Sequence, residues 1–309
     1  MRALIVTNMY PTPDWPALGG FVRDQVDALR RIEGVDIEVF SFSPGRLDSY
    51  GRAAAELRRR HGHDRFDVVH AHYGLTAWPA FAARGSVRAV TLHGTDLAHP
   101  RSRAITLAAL PFLDLVASVS EPLRSEIPRW ALRGRSAVLP IGVDVDRFRP
   151  IRRPDARAAL GLDRDAPILL FPADPGRPEK RYDRALAVAG DVRLLTLGHV
   201  DRARVPLFVN AANAVLIPSE REGFGLAALE ALACDVPVLA TPVGIHPAAL
   251  SGIEGTYCAP FDEAAWRDAL APHLAKDDPR IRGRDAAERF STDRMALDVV
   301  TAWRAALGR

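Results

Sequence analysis

The chain has 309 residues, 48% of them hydrophobic and 26% charged, with a formal net charge of +3. That is the composition of a folded globular protein long enough to bury two ordinary cores, and it excludes collagen-like and disordered chains. No apolar run reaches the roughly 18 residues of a membrane-spanning helix. The longest candidate, Leu107 to Ser120, is broken by Pro111 and Asp114, and Met1-Arg2 leads straight into a strand pattern instead of a signal peptide, so a cytoplasmic protein is expected. Cys234 and Cys258 have no histidine at zinc-finger spacing and read as small buried residues, not as a disulfide or metal site.

Up to Arg149 there are 20 basic and 16 acidic residues, and beyond it 21 and 22, so the basic excess lies in the first half. Arg58-Arg59-Arg60-His61 and Arg124, Arg129, Arg133 and Arg135 around Trp130 carry much of it. Solvated helix faces account for such arginines, and so does contact with anionic lipid head groups or an anionic acceptor. No nucleic-acid reader motif accompanies the charge, and no nucleic-acid partner is expected. Lysine occurs only at Lys180 and Lys276, which makes the first of these conspicuous.

In chain order, Ala3 to Thr7 reads as a strand, and Val22 to Arg31 as an amphipathic helix with Val22, Val26 and Leu29 on one face. Strands are predicted at 35–40, 67–70, 87–92 and 115–119, with a helix at 53–60, and the run 138–141 closes the first unit. The Asp-, Arg- and Pro-rich stretch 142–166, with a short helix near 156–160, reads as an interdomain connection. The pattern then restarts, with strands at 167–171, 192–197, 214–217 and 236–240 separated by helices, and a final helix over 295–307 carrying Trp303. Short strands alternating with helices predict parallel sheets covered on both faces, an α/β architecture whose ligands sit at the carboxyl ends of the strands.

The most informative string is Ser219-Glu220-Arg221-Glu222-Gly223-Phe224-Gly225-Leu226-Ala227-Ala228-Leu229-Glu230, directly after the apolar run Ala214 to Ile217. Glycines open a turn, and Leu226 to Ala233 continues as a helix. Glu222 falls in the turn, with Glu230 expected about two helical turns further on. N–H groups at a helix start hold sugar hydroxyls or phosphate, and carboxylates accept hydrogen bonds from sugar and ribose hydroxyls. A plain strand–turn–helix with an acid set against the helix dipole reads the same way for either acid alone.

Three loops after strands add to it. Gly19-Gly20 follows a loop with Pro11, Pro13 and Pro16 and lets backbone approach an anion at a helix start, although it lacks the G-x-G-x-x-G spacing of a nicotinamide site. Arg177 and Lys180 lie in the loop Phe171 to Lys180, where cations neutralise a departing diphosphate or are simply solvated. His93, in Thr91-Leu92-His93-Gly94-Thr95-Asp96, is placed to bond a sugar hydroxyl or handle a proton. His70-Ala71-His72 has metal-ligand spacing without an evident third ligand.

Taken together, these strings resemble the retaining GT-B glycosyltransferases of family 4 (glycosyltransferase group 1). Glu222 and Glu230 stand at the two acid positions of the family's E-x7-E signature, and Ala231 to Gly244 continues the match. Tyr10 to Val22 is similar to the N-terminal loop whose glycines face the donor diphosphate. His93-Gly94-Thr95-Asp96 is similar to the segment whose histidine contacts the donor sugar. Lys180 stands at the position of a phosphate-clamping lysine, while the usual arginine about five residues earlier is Pro175, with Arg177 as substitute. His70 to Gly74 is family-like and either acceptor-side or structural, and Pro140 to Asp144 with Phe148-Arg149-Pro150 resembles the domain-junction motif. Gly244-Ile245-His246-Pro247-Ala248 departs from Gly-Gly-x-Pro-Glu, with Ala248 in place of an acid. The similarity runs from about Leu4 to Phe290.

The resemblance implies two Rossmann-like, doubly wound parallel-sheet domains facing each other across a cleft: an acceptor-side domain at 1–149, a nucleotide-sugar domain at 150–290, and a last helix at 291–309 packing back on the first. It implies sugar transfer, with retention, from a UDP- or GDP-sugar to an acceptor hydroxyl in glycan, glycolipid or cell-envelope polysaccharide synthesis. No metal and no cofactor beyond the donor substrate is expected. The implied catalytic residues are His93, Lys180 and Glu222, and the donor-binding set is Gly19, Gly20, Arg177, Lys180, Glu222, Gly223, Phe224, Gly225, Leu226 and Glu230. The acceptor is a sugar, a lipid-linked species or a small molecule, and the basic first half adds peripheral contact with an anionic membrane, at its inner face. A GT-B epimerase or phosphorylase, or a non-catalytic donor-binding paralogue, are the alternatives.

Overall fold

The computed structural model describes residues 1–12, 18–45, 47–198 and 200–308. Pro13 and Pro16 of the proline-rich loop, and Arg309, lie outside the described residues. The chain divides into two compact units, one formed by Met1–Gly142 with Thr292–Arg309 and one by Val143–Ser291.

The first unit is built on a six-stranded sheet: β1 (Arg2–Thr7), β2 (Asp36–Ser41), β3 (Arg65–His72), β4 (Arg84–Leu92), β5 (Leu115–Ser118) and β6 (Arg135–Val138). The strand order is β2-β1-β3-β4-β5-β6, and every pair is parallel. Parallel strands bury both faces, which is why β1 reads as a nearly unbroken apolar run. Register sets Thr7 opposite His72 and His72 opposite Thr91, so the loops that follow β1, β3 and β4 leave the sheet side by side.

Helix Gly20–Arg30 buries Val22, Val26 and Leu29, spaced at i, i+4 and i+7, against Ile5 and Val68. Helix Thr292–Ala306, more than 260 residues later in the chain, joins the same core with Met295, Val299 and Trp303. Trp303 is fully buried, and its indole N–H donates to His70 Nδ1 at 2.9 Å. The polar end of a large apolar side chain thus finds the partner that burial demands.

The second unit carries β7 (Ile168–Phe171), β8 (Arg193–Thr196), β9 (Ala214–Ile217), β10 (Val238–Ala240) and β11 (Tyr257–Cys258) in the order β11-β10-β9-β7-β8, again all parallel. Leu169, Phe171, Leu216, Leu239, Trp266 and Leu270 form its core. Cys234 is buried, Cys258 is half-buried, and both are free thiols; burial pushes the Cys234 thiol up to about 12.

The structure departs from the apolar pattern in three places. The last strand of the first unit, Arg135–Val138, lies just ahead of the apolar run 138–141 and is not announced by it, because this edge strand of exposed and half-buried residues carries no apolar run of its own. The two-residue edge strand β11 is too short for any periodicity. Part of the stretch expected to be a connection is built into the second unit: helix Arg153–Leu160 buries Arg157 completely. The Arg157 guanidinium donates to the carbonyls of Ala211, Asp163, Arg164 and Ala166 and to Asn213 Oδ1, at 2.7 to 3.3 Å. A charged residue that reads as solvated linker in sequence is here a hydrogen-bonding hub.

Candidate active site

In the second unit β7 and β9 are neighbours, with Leu170 opposite Val215. The loops that leave their carboxyl ends therefore lie together, and Glu220 N–H donates to Glu179 O at 2.9 Å. Lys180 Nζ meets both carboxylate oxygens of Glu222, at 2.7 and 2.6 Å. The side chains are only 15% and 9% exposed. Ser219 donates its hydroxyl to Glu222 Oε1 at 2.8 Å. Two residues 42 positions apart, each singled out by sequence, are thus one ion pair. Arg177 instead pairs with Glu179 through contacts of 2.9 and 2.5 Å, and is mostly exposed.

Helix Leu226–Ala233 begins at Gly225, whose φ of 104° only glycine adopts without strain, and no side chain caps it. Ala228 N–H turns back to Gly225 O at 3.2 Å, and the first-turn N–H groups ahead of it, at Leu226 and Ala227, are of the kind that a helix start directs at a ligand. Glu222 stands in the loop, three residues ahead of Gly225, and Glu230 lies one turn into the helix, not two, because the glycine delays the helix start. Glu230 is half-buried and has partners of its own.

A third loop supports this one from behind. Ile245 N–H donates to Phe224 O at 2.7 Å, and a Cβ on Gly244 would lie 2.3 Å from that same oxygen. His246 is fully buried, with Nδ1–H donating to Thr241 O at 2.9 Å. Its Nε2 has no partner among the described residues and would lie 2.5 Å from a Cβ on Gly225. Burial holds this imidazole below its ordinary pKa, against the Thr241 carbonyl and Glu222, which pull the other way.

In the first unit, Gly19 has a φ of 60° and caps helix Gly20–Arg30. A Cβ there would come within 2.1 Å of Met9 O, so the first glycine of the pair is required by close packing. His93 follows β4 and is half-buried, its ring 4.9 Å from Phe21 and 5.3 Å from His72. His93 Nε2 and His72 Nδ1 share a hydrogen bond of 3.1 Å, and His72 stacks in turn on His70 at 5.0 Å. His70 Nε2 bonds Thr91 Oγ1 at 2.8 Å. With Trp303 donating to its Nδ1, His70 carries its own proton on Nε2. Desolvation lowers all three histidines, His72 to about 4, so the cluster is uncharged at neutral pH. Among the described residues no group of histidines, cysteines or acids is arranged to hold a metal ion.

Asp96 is the organising residue here. Fully buried, it accepts backbone N–H bonds from Gly74 at 2.5 Å, His93 at 2.6 Å and Gly94 at 2.9 Å, which bind the β3 and β4 loops together. Burial raises its pKa, with those N–H groups opposing. The backbone bend at Tyr73, with φ 81°, belongs to the same junction.

Residues 8–147 match the family described as Glycosyltransferase Family 4, and residues 162–276 that described as Glycosyl transferases group 1. A D-inositol 3-phosphate glycosyltransferase of Xylanimonas cellulosilytica is 34% identical over 83% of this chain and 76% of its own. The chain belongs to glycosyltransferase family 4. The transferase also shares its GT-B fold with a sucrose-phosphate synthase from Thermosynechococcus elongatus, with a TM-score of 0.78 at 20% identity over the full length of both. Anabaena HepE in complex with UDP-glucose gives 0.71 at 16% identity over 98% of this transferase and 99% of that chain.

Sequence reasoning about the transferase did not single out Ser219, Asp96 or His246 as site residues. Each nevertheless stands in a string the sequence marks: Ser219 opens the acid-and-glycine string, Asp96 closes His93-Gly94-Thr95-Asp96, and His246 falls in the segment that departs from Gly-Gly-x-Pro-Glu. The structure brings Lys180, Glu222, Gly223, Phe224, Gly225 and Leu226 together within the second unit. In the first, it gathers His93 with His70, His72 and Asp96.

Proposed function

We propose that this transferase moves a sugar from a UDP- or GDP-sugar to an acceptor hydroxyl with retention at the anomeric carbon. The observation that carries this reading is the Lys180–Glu222 pair beside a glycine-opened helix start, at the carboxyl ends of β7 and β9. Lys180, with Arg177 and the Gly19-Gly20 loop, stabilises the diphosphate as it leaves. Glu222 and the N–H groups of Gly223 to Leu226 position the sugar, Glu230 takes the ribose hydroxyls, and neutral His93 bonds the sugar. Attack comes on the face that the diphosphate leaves, within a tight ion pair; a trapped covalent sugar–enzyme adduct would overturn that step.

The relative's name supports an inositol phosphate as the first acceptor to try. UDP-glucose in the HepE structure supports UDP as the first nucleotide. The test is a thermal-shift screen of UDP, GDP and their sugars, followed by assay of the stabilising donor with inositol 3-phosphate and other polyols. Release of nucleoside diphosphate only when acceptor is present is the expected result. Stabilisation by no nucleotide refutes the reading, and donor consumption independent of acceptor favours an epimerase or phosphorylase.

We place the transferase in the cytoplasm, with the first unit touching an anionic membrane. Phe112 and Trp130 are each 63% exposed, and Arg129, Arg133 and Arg135 are exposed around them. Binding to phosphatidylglycerol vesicles, lost in high salt, is expected; no binding at low salt ends this assignment.

A further inference from the structure

We infer that Glu222 is the resident counter-anion of Lys180, and that this pair makes the site discriminate against the bare nucleoside diphosphate left after transfer. The inference rests on the reading above, that Lys180 receives the diphosphate and Glu222 the sugar. Both carboxylate oxygens engage the ammonium, at 2.7 and 2.6 Å. Both side chains are largely withdrawn from water. The Glu179–Glu220 backbone bond ties the two loops together, and Ser219 steadies Oε1. Glu222 is the carboxylate in direct contact with Lys180, while Glu179, its chain neighbour, acts on it only as a nearby charge.

An ammonium has three protons, and two of them already face Glu222. The third can meet one phosphate oxygen, but a diphosphate that draws the ammonium further onto itself weakens or replaces the contact with Glu222. It then leaves a nearly buried carboxylate short of a partner, next to new negative charge. An unpaired buried charge is costly even where the intact pair adds little. A nucleotide sugar offers hydroxyl donors that fill the gap, whereas the bare diphosphate offers none. The same exchange that lets the donor settle thus loosens the product, and Glu222 acts as a sensor of whether the sugar is still attached.

The experiment is isothermal titration of UDP and UDP-glucose (or GDP and GDP-mannose, if those are the nucleotides that stabilise the protein) into wild type and Glu222→Gln. Glutamine keeps the shape and still accepts the Ser219 hydroxyl, but it removes the charge. The expected result is that the variant binds the bare diphosphate about tenfold more tightly. Affinity for the nucleotide sugar should rise less, or fall. If Glu222→Gln fails to fold, Glu222→Ala should show the same preference. Equal shifts for the two ligands, or weaker binding of the diphosphate, overturn the inference while leaving the donor site standing. Wild type that binds neither ligand overturns both.

Discussion

The buried histidines of the first unit predict an acid weakness whose size follows from His72. Desolvation carries its imidazole from an ordinary 6.5 to about 4. Between those values the unfolded chain binds a proton that the folded chain refuses, so stability falls as pH falls through the window. Across the whole interval His72 contributes about 3 kcal/mol, of which about 2 kcal/mol is lost between pH 6.5 and pH 5. His70 and His93 are displaced in the same direction and deepen the fall. Hydrogen exchange of the β3 and β4 amides at pH 7 and pH 5, corrected for intrinsic exchange, reads the first unit without assuming that both units unfold together. Wild type should lose at least about 2 kcal/mol of protection, and His72→Gln about 2 kcal/mol less than wild type. A variant that loses as much as wild type would show that His72 is not held neutral by burial.

Gly225→Ala should destabilise the second unit by about 2–5 kcal/mol, from a positive φ and from collision with the His246 ring. In chemical denaturation the double variant Gly225→Ala/His246→Ala should recover the collision part and show clear non-additivity; strictly additive losses would rule out the contact. Arg157→Met leaves several carbonyls without their donor and should cost about 3 kcal/mol in the same assay, whereas a loss under about 0.5 kcal/mol would mean that water replaces the guanidinium freely. Lys180→Ala should lower kcat by about a hundredfold with a smaller change in KM for the donor, because the charge it meets grows in the transition state; steady-state kinetics with unchanged kcat would remove it from the chemistry.

The alternation of short apolar runs with helices was enough to read two parallel-sheet units, because a strand covered on both faces must be apolar along its length. Edge strands follow that rule only in part: β2 and β8 still show a readable pattern, whereas β6 has no apolar run of its own and β11 is two residues long. Likewise, the glycines at 223 and 225 announced a turn into a helix, and at Gly225 the positive φ at the helix start selects glycine whatever the rest of the chain does.

What the sequence could determine was which residue types stand at the carboxyl ends of the strands, for that depends on local pattern and spacing alone. The partnerships among them were decided by tertiary structure. Lys180 finds Glu222 only because β7 and β9 are neighbours in the sheet, and His72 finds His93 only because β3 and β4 are. Arg157 becomes an interior residue only because the carbonyls around it converge from a helix end and a loop. Strand order and loop convergence minimise the exposed apolar surface of a whole unit. That is a property of all its residues at once, and it is why no single segment announces its own charge partner.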